Sequence, residues 1–311
     1  MRVVVTGGAG FIGSNLARAL CERGDDVVVV DTLATGKRER VPDEAEFHLL
    51  DVASPLFKRL LETQPFDLIY HEAAAVSVRR SLAQPAQDAE VNALGSLRVL
   101  EAAIATGVPT VVLASSCAVY GDQAVIPIHE DAPLHPTSPY GAAKQCVEIY
   151  ARVLSAVHGL HVTCLRYANV YGPGAEAHSE AGVIPLFIDA LESGAAPLIY
   201  GDGRATRDYI HVDDIVRAHV AARYLRGFHV INLGTGVETS VDELFSLLRE
   251  RMGGPTARYA PARAGEIRRS ALDTSRAESL LGWRAKVTLA KGLDRLVGAP
   301  RSYRAYQAVG G

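Results

Sequence analysis

Tyr140 and Lys144 lie four positions apart in Tyr140-Gly141-Ala142-Ala143-Lys144, which on a helix puts a phenol and an ammonium on one face. A free tyrosine titrates near pH ~10 and is a weak base at neutral pH. A nearby ammonium favours the phenolate, so Lys144 is expected to lower the Tyr140 value and make the pair a candidate general base. Ser115-Ser116 closes an apolar run at the carboxyl end of a predicted strand, where doubly wound sheets bind ligands. Such a tyrosine–lysine pair also occurs as a plain surface pair on a helix. Its place downstream of a nucleotide loop and a serine pair is what argues for chemistry.

That loop is Thr6-Gly7-Gly8-Ala9-Gly10-Phe11-Ile12-Gly13, between a strand and a helix. Gly7, Gly10 and Gly13 suit a tight turn, close approach of backbone N–H groups to a pyrophosphate, and helix–strand packing. Asp31 ends the second strand, where a carboxylate accepts from adenosine ribose hydroxyls and repels a 2′-phosphate, so the expected dinucleotide is NAD. Lys37 and Arg38 leave an opening for NADP. A cationic nicotinamide would favour the Tyr140 phenolate further. Asp51 either accepts from the adenine amino group or caps the next helix. Ala73, Ala74 and Ala75, after His71 and Glu72, read as close packing, close approach to the cofactor, or both. Asn92 reads as a cofactor contact or a polar cap.

These residues need a scaffold. Val3–Thr6, Val27–Val30, Phe47–Leu50, Leu68–Tyr70, Thr110–Ala114 and Val162–Leu165 read as strands, and Ile12–Arg23 and Val91–Ala105 as amphipathic helices. The alternation predicts an α/β fold, a doubly wound parallel Rossmann sheet with helices on both faces. After Gly172, prolines and glycines punctuate shorter elements, which predicts a smaller C-terminal α/β substrate-binding lobe. The expected division is 1–171 and 172–311, with some interleaving of segments. Helices Val212–Ala222 and Val241–Glu250 and strands near Val230–Leu233 and Ala257–Tyr259 are expected in that lobe.

The 311 residues are 48% hydrophobic and 22% charged, enough for a large core. A formal net charge of −3 offers no field to gather nucleic acid or an acidic membrane. No apolar run is long enough for a signal peptide or a membrane span. Cys21, Cys117, Cys146 and Cys164 lack metal-ligand spacing and read as reduced thiols in a cytoplasmic setting. No metal and no disulfide are expected.

Taken jointly, Thr6–Gly13, Asp31, Ser116-Cys117-Ala118-Val119-Tyr120-Gly121, Tyr140–Lys144, Arg166–Pro173, Gly201-Asp202-Gly203, Arg207–Asp214, Arg263–Glu266 and Leu281-Gly282-Trp283 span nearly the whole chain. The pattern resembles the extended short-chain dehydrogenase/reductases, within them the NAD-dependent epimerase/dehydratase enzymes, and is most similar to UDP-glucose 4-epimerases. The resemblance implies a transient 4-keto sugar, with Tyr140 taking the 4-hydroxyl proton directly or through Ser116 and Lys144 tuning Tyr140 and gripping the nicotinamide ribose. It implies cofactor contacts from Leu33, Thr35, Gly36, Val52, Ser115 and Tyr167 beside those above. For a UDP-sugar it implies Ser116, Tyr140, Asn169, Arg207, Arg263 and Glu266 as polar contacts. Val183, Ile184, Leu198, Ile199 and Tyr200 would frame the uracil or serve as core, and Ser270 would wall the sugar.

Dehydratases and UDP-glucuronate decarboxylases share the tyrosine–lysine pair but carry an acid or two after the catalytic serine or threonine; here Cys117 and Ala118 stand there. The chain departs from some UDP-galactose 4-epimerases at Val76, where they carry a lysine, and Glu72 is an unusual neighbour to His71. A UDP-glucuronate 4-epimerase is a further reading, and a non-catalytic NAD sensor is the reading of another class. The resemblance also implies a homodimer through a bundle of Val91–Ala105 and Tyr140–Val157.

Overall fold

Val3 and Val5 enter one apolar core and Val4 enters another, because successive side chains on a strand point to opposite faces. The computed structural model, which describes residues 1–175, 182–262 and 267–298, repeats that division along the whole sheet. Strands β1 (Arg2–Thr6), β2 (Asp26–Asp31), β3 (Glu46–Leu49), β4 (Leu68–His71), β5 (Thr110–Ser116) and β6 (His161–Tyr167) each cover or overlap an expected run. The chain then makes β7 (Asn169–Tyr171), β8 (Leu198–Tyr200), β9 (Thr206–Arg207) and β10 (Tyr209–His211) before β11 (Phe228–Leu233) returns to pair with β6. The sheet order is β11-β6-β5-β4-β1-β2-β3, with every pair parallel. Strand order reverses between β1 and β4, so the ligand crevice opens at the ends of those two strands.

Val230–Leu233 was expected in the smaller lobe. It instead lies in the central sheet, in register with Cys164–Tyr167. The pairing bridges more than sixty residues of chain, beyond the reach of a local pattern.

Helix α1 (Phe11–Glu22) covers one face together with the helices over Val212–Ala222 and Ser275–Leu281. α2 (Pro55–Glu62), α5 (Gly95–Thr106) and α6 (Pro139–His158) cover the other. Short helices α3 (Val78–Ala83) and α4 (Pro85–Ala89) lead through a π-turn at Glu90–Leu94 into α5, so the single helix expected over Val91–Ala105 is a π-turn followed by an α-helix. The remaining helices are α7 (Val183–Glu192), α8 (Val212–Ala222), α9 (Val241–Met252), α10 (Ser275–Leu281) and α11 (Leu289–Gly298). Strand β12 (Thr239–Ser240) pairs with β9, and β13 (Arg258–Ala260) with β8. A third core joins α7, α9 and α11 through Phe187, Leu191, Leu244, Leu248, Leu293 and Leu296. Among the described residues no helix is long and apolar enough to cross a membrane.

Candidate active site

Helix α6 begins where Ser138 accepts a hydrogen bond from Gly141 N at 3.1 Å and Pro139 occupies the first turn, both favoured at a helix start. Tyr140 therefore sits in the first turn and Lys144 one turn on. Ser116 ends β5 and accepts from Ala118 N at 3.1 Å, closing a 3₁₀ turn over Cys117–Val119. That turn lies against α6: a β-carbon on Gly141 would fall 2.5 Å from the Ala118 carbonyl oxygen. The close approach sets the turn that carries Ser116 against the first turn of the Tyr140 helix.

Lys144 is buried and donates from Nζ to the Ala114 carbonyl at 2.9 Å, with Nζ 5.8 Å from the Tyr140 ring centroid. Burial pushes its ammonium down to about 8, against the pull of Glu72 and Asp88. Tyr140 departs from expectation. Burial drives its phenol well above the usual tyrosine value, the Ser116 hydrogen bond opposes this, and Cys117, Asp88 and Glu72 add to it. Desolvation outweighs the neighbouring ammonium, and sequence spacing carries no measure of burial.

At the switch point Gly7 has φ +68°, and a β-carbon there would meet Ala73 N at 2.5 Å, so the loops after β1 and β4 touch through backbone. On Gly13 a β-carbon would lie 2.3 Å from the Gly7 carbonyl oxygen. Helix α1 starts after Gly10 with no side chain bonded to its first N–H groups, which leaves Phe11, Ile12 and Gly13 heading a helix end suited to a pyrophosphate. Asp31 is held by Ala9 N at 3.0 Å and Leu33 N at 2.7 Å, and Gly36 leaves room beside Oδ1. The Arg38 guanidinium stacks 4.7 Å over the Phe47 ring. A dinucleotide with a free ribose 2′-hydroxyl fits this cradle. Thr35 is exposed beside it, and Val52 is half-buried against the core.

Three expected cofactor residues turn their polar atoms inward. Asn92 is fully buried and clasps Ala75, accepting from its N at 2.9 Å and donating to its O at 2.8 Å. It holds the loop after Ala73 and Ala74 in shape. The Ser115 hydroxyl donates to Glu148 at 2.6 Å, and the Tyr167 hydroxyl contacts Glu72 and His219. Asp51 accepts from Ala53 N at 2.8 Å while Ser54 caps α2, so Asp51 shapes the turn before the cap and is not the cap itself.

On the substrate side, β7 and β10 pair so that Asn169 N donates to the Asp208 carbonyl at 2.9 Å, which sets Asn169 opposite Tyr209, two residues after Arg207. Buried Asp208 accepts from Thr235 N, Gly236 N and Leu272 N, joining the Arg207 strand to the segment that carries Ser270. Ser270 is buried, two residues before Leu272. Ile184 and Ile199 lie in the core of the smaller lobe, each 1% exposed, because their helix and strand turn those positions inward; they are core rather than uracil contacts. Val183, Leu198 and Tyr200 keep exposed surface. Arg263 and Glu266 lie outside the described residues.

Two buried constellations escaped the sequence reading. Arg166 reaches Glu148 through Nε at 2.9 Å and Nη2 at 2.6 Å, and Tyr120 through Nη1 at 2.8 Å. His71 bridges Thr6 at 2.7 Å and Ser96 at 2.9 Å. Arg166, Tyr120 and Thr6 belong to the motifs that carry the family resemblance; their partners Glu148 and Ser96 carry no local signal. Among the described residues no group of three or more His, Cys, Asp or Glu is arranged to hold a metal.

Parallel sheet, glycine turn and tyrosine–lysine pair define a dinucleotide-dependent enzyme of the short-chain dehydrogenase type. Residues 3–234 match the NAD dependent epimerase/dehydratase family, and the chain belongs to it, with NAD as its cofactor. It is 42% identical over 305 residues to the UDP-glucose 4-epimerase of Mycolicibacterium smegmatis, covering 96% of this chain and 97% of that one. The crystal structure of the Thermotoga maritima UDP-glucose 4-epimerase with UDP-glucose is similar, with TM-score 0.94 and 41% identity over 96% of this chain and 98% of that chain. So is the Thermus thermophilus UDP-glucose 4-epimerase complex with NAD, with TM-score 0.91 and 37% identity over 99% of this chain and 100% of that one.

Proposed function

We propose that this protein is a 4-epimerase of UDP-sugars that favours UDP-glucose and UDP-galactose. The observation that carries it is the packing of the Ser116 turn on the helix that holds Tyr140 and buried Lys144, with Cys117 and Ala118 directly after Ser116. A dehydratase needs a further acid and base to expel water, and neither a thiol pushed up by burial nor a methyl group supplies one there.

When bound, NAD supplies a hydride acceptor at C4 of the sugar and returns the hydride after the 4-keto sugar has turned. Tyr140 takes the C4 hydroxyl proton directly or through Ser116 and returns it to that oxygen when C4 is reduced on its other face. Lys144 holds a positive charge beside the phenol that favours phenolate as the proton leaves. Asn169, Arg207, Arg263 and Glu266 anchor the nucleoside diphosphate while the hexose stays free to turn, and Arg207 and Arg263 suit phosphate because a guanidinium pairs with two oxygens. Asp31, Gly7, Gly10, Gly13, Ala73 and Ala75 serve the dinucleotide.

The test is conversion of UDP-galactose to UDP-glucose by purified protein without added reductant. Tyr140→Phe is expected to cut kcat by at least ~10²-fold with NAD still bound, and Ser116→Ala by less. Near-normal turnover by Tyr140→Phe rejects the mechanism.

The chain is also proposed to form a homodimer. Ile149, Val153 and Val157 recur every four residues along α6 at 49, 51 and 69% exposure, and Val91 and Leu94 add apolar surface before α5. A second copy of the same face would bury both. Sedimentation velocity is expected to show a dimer that Val153→Glu dissociates; a monomeric wild type rejects it.

A further inference from the structure

Glu148 follows Lys144 by four residues on α6, so the two side chains leave the helix on one face. Both reach β5, at neighbouring positions. Lys144 Nζ donates to the Ala114 carbonyl at 2.9 Å, and Glu148 Oε1 accepts from the Ser115 hydroxyl at 2.6 Å. The next residue along β5 is Ser116, so α6 is tied to the strand directly before the Ser116 turn.

The same carboxylate is held from β6 by Arg166, with Nε 2.9 Å from Oε1 and Nη2 2.6 Å from Oε2. Pairing at two points fixes the direction of the carboxylate as well as its distance. Both side chains are buried. The third guanidinium nitrogen, Nη1, donates to the Tyr120 hydroxyl at 2.8 Å and to the Glu130 carbonyl at 3.0 Å, and the guanidinium lies 4.7 Å over the Tyr120 ring centroid. Tyr120 N donates to the Cys117 carbonyl at 3.1 Å and so closes the turn that Ser116 opens. Its hydroxyl passes on to Asn232 Oδ1 on β11 at 2.6 Å. One buried ion pair therefore grips the chain on both sides of Ser116, at Ser115 through Glu148 and at Tyr120 through Arg166. It also grips α6 one turn beyond Lys144.

Packing alone does not call for such a pair. Desolvating two charges costs about as much as their attraction returns, and apolar side chains of similar volume fill such a space at least as well. What apolar side chains lack is direction, which the guanidinium fork and the serine hydroxyl supply.

We propose that Arg166 and Glu148 are positioning residues of the active site: their buried pair sets the Ser116 turn against the helix that carries Tyr140 and Lys144. Neither need touch the sugar or the dinucleotide. The inference rests on the epimerase reading only in taking Ser116, Tyr140 and Lys144 as the working groups.

The test reads kcat and KM for UDP-galactose, the urea midpoint, and ¹³C NMR of tyrosine-labelled protein, in which Tyr140→Phe assigns one of the twelve tyrosine resonances. Ser115→Ala cuts the tie nearest Ser116 and leaves the ion pair whole. It is expected to lower kcat about tenfold with KM changed by less than about twofold, and to displace the Tyr140 resonance. The joint Arg166→Met, Glu148→Met variant removes both charges and leaves neither alone, so it is expected to keep most of its urea midpoint while losing kcat about a hundredfold. Arg166→Lys keeps the charge without the fork and is expected to lie between wild type and the joint variant. An unchanged kcat in either of the first two variants when folded, or a kcat that falls only in step with the urea midpoint, overturns the proposal. If the joint variant does not fold, Ser115→Ala decides alone. A wild type without UDP-hexose turnover whose Tyr140 resonance still moves in Ser115→Ala counts against the epimerase reading alone; if the resonance stays in place, the proposal falls as well.

Discussion

Gly141 and Ala118 are in direct backbone contact: the space where Gly141 would carry a β-carbon is closed by the Ala118 carbonyl oxygen, 2.5 Å away. The glycine between Tyr140 and its lysine is therefore what lets the Ser116 turn rest on α6. Gly141→Ala is expected to push turn and helix apart, lowering kcat at least tenfold while costing about 1–3 kcal/mol of stability, as small overpackings do. Turnover assays and urea unfolding of the same preparation measure both. Unchanged kcat would mean that this seating of the Ser116 turn is not needed.

Asp31 is held by Ala9 and Leu33 where the proposed site has the adenosine ribose, and the stacking of Arg38 on Phe47 points that cation at a ring. The nucleotide released from purified protein is expected to be NAD, with NADP a poor substitute. Mass spectrometry identifies it; mostly NADP would bring Lys37 or Arg38 into the ribose pocket.

His71 titrates at about 3 in the folded protein, because burial and the Lys144 charge disfavour imidazolium, against about 6.5 in an unfolded chain. Between these values the unfolded state binds more protons, so stability falls as pH drops below about 6.5 and the loss is complete near the folded value. At about pH 4.5 the penalty is roughly 3 kcal/mol, an order-of-magnitude figure. His71→Gln is expected to be less stable at neutral pH, because it loses the Thr6–Ser96 bridge, and to show a flatter acid slope. Urea midpoints across pH measure this; equal slopes would place the acid sensitivity elsewhere.

The proposed site has Ser270 as the wall of the sugar pocket, where its small side chain would leave room. UDP-glucose and UDP-galactose are expected to be converted best, their N-acetyl forms to some degree and UDP-glucuronate poorly. Ser270→Tyr is expected to lower kcat/KM for the N-acetyl sugars much more than for the hexoses. A preference for UDP-glucuronate would reverse this ranking and leave 4-epimerisation standing. The expectation of poor glucuronate use comes from the sequence Gly174-Ala175-Glu176-Ala177 after Tyr171-Gly172-Pro173, where Glu176 brings no cation to meet a sugar carboxylate.

The local parts of this design were legible. Glycine spacing placed the phosphate turn, β-branched runs placed six strands, and the four-residue interval placed Tyr140 and Lys144. What escaped depends on contacts between distant segments. Glu72 and His219 are 147 positions apart, and neither carries a local sign of the other. Asn92 and Ser115 have side chains able to serve either a ligand or the interior, and only the packed structure shows them turned inward. The direction of the Tyr140 shift likewise depended on burial.

The return of β11 to the central sheet ties assembly to the order in which the chain leaves the ribosome. Residues through β6 carry the cofactor turn and Tyr140, yet the hydrogen-bonding groups of β6 that face β11 stay bare until residue 233 emerges. A fragment ending at β6 presents an open strand, a template for pairing with another chain. The segment carrying β7–β10 must emerge before that strand can be covered, and β8 and β9 then still await their partners β13 and β12, so a chain halted at β6 is expected to associate more readily than the finished fold.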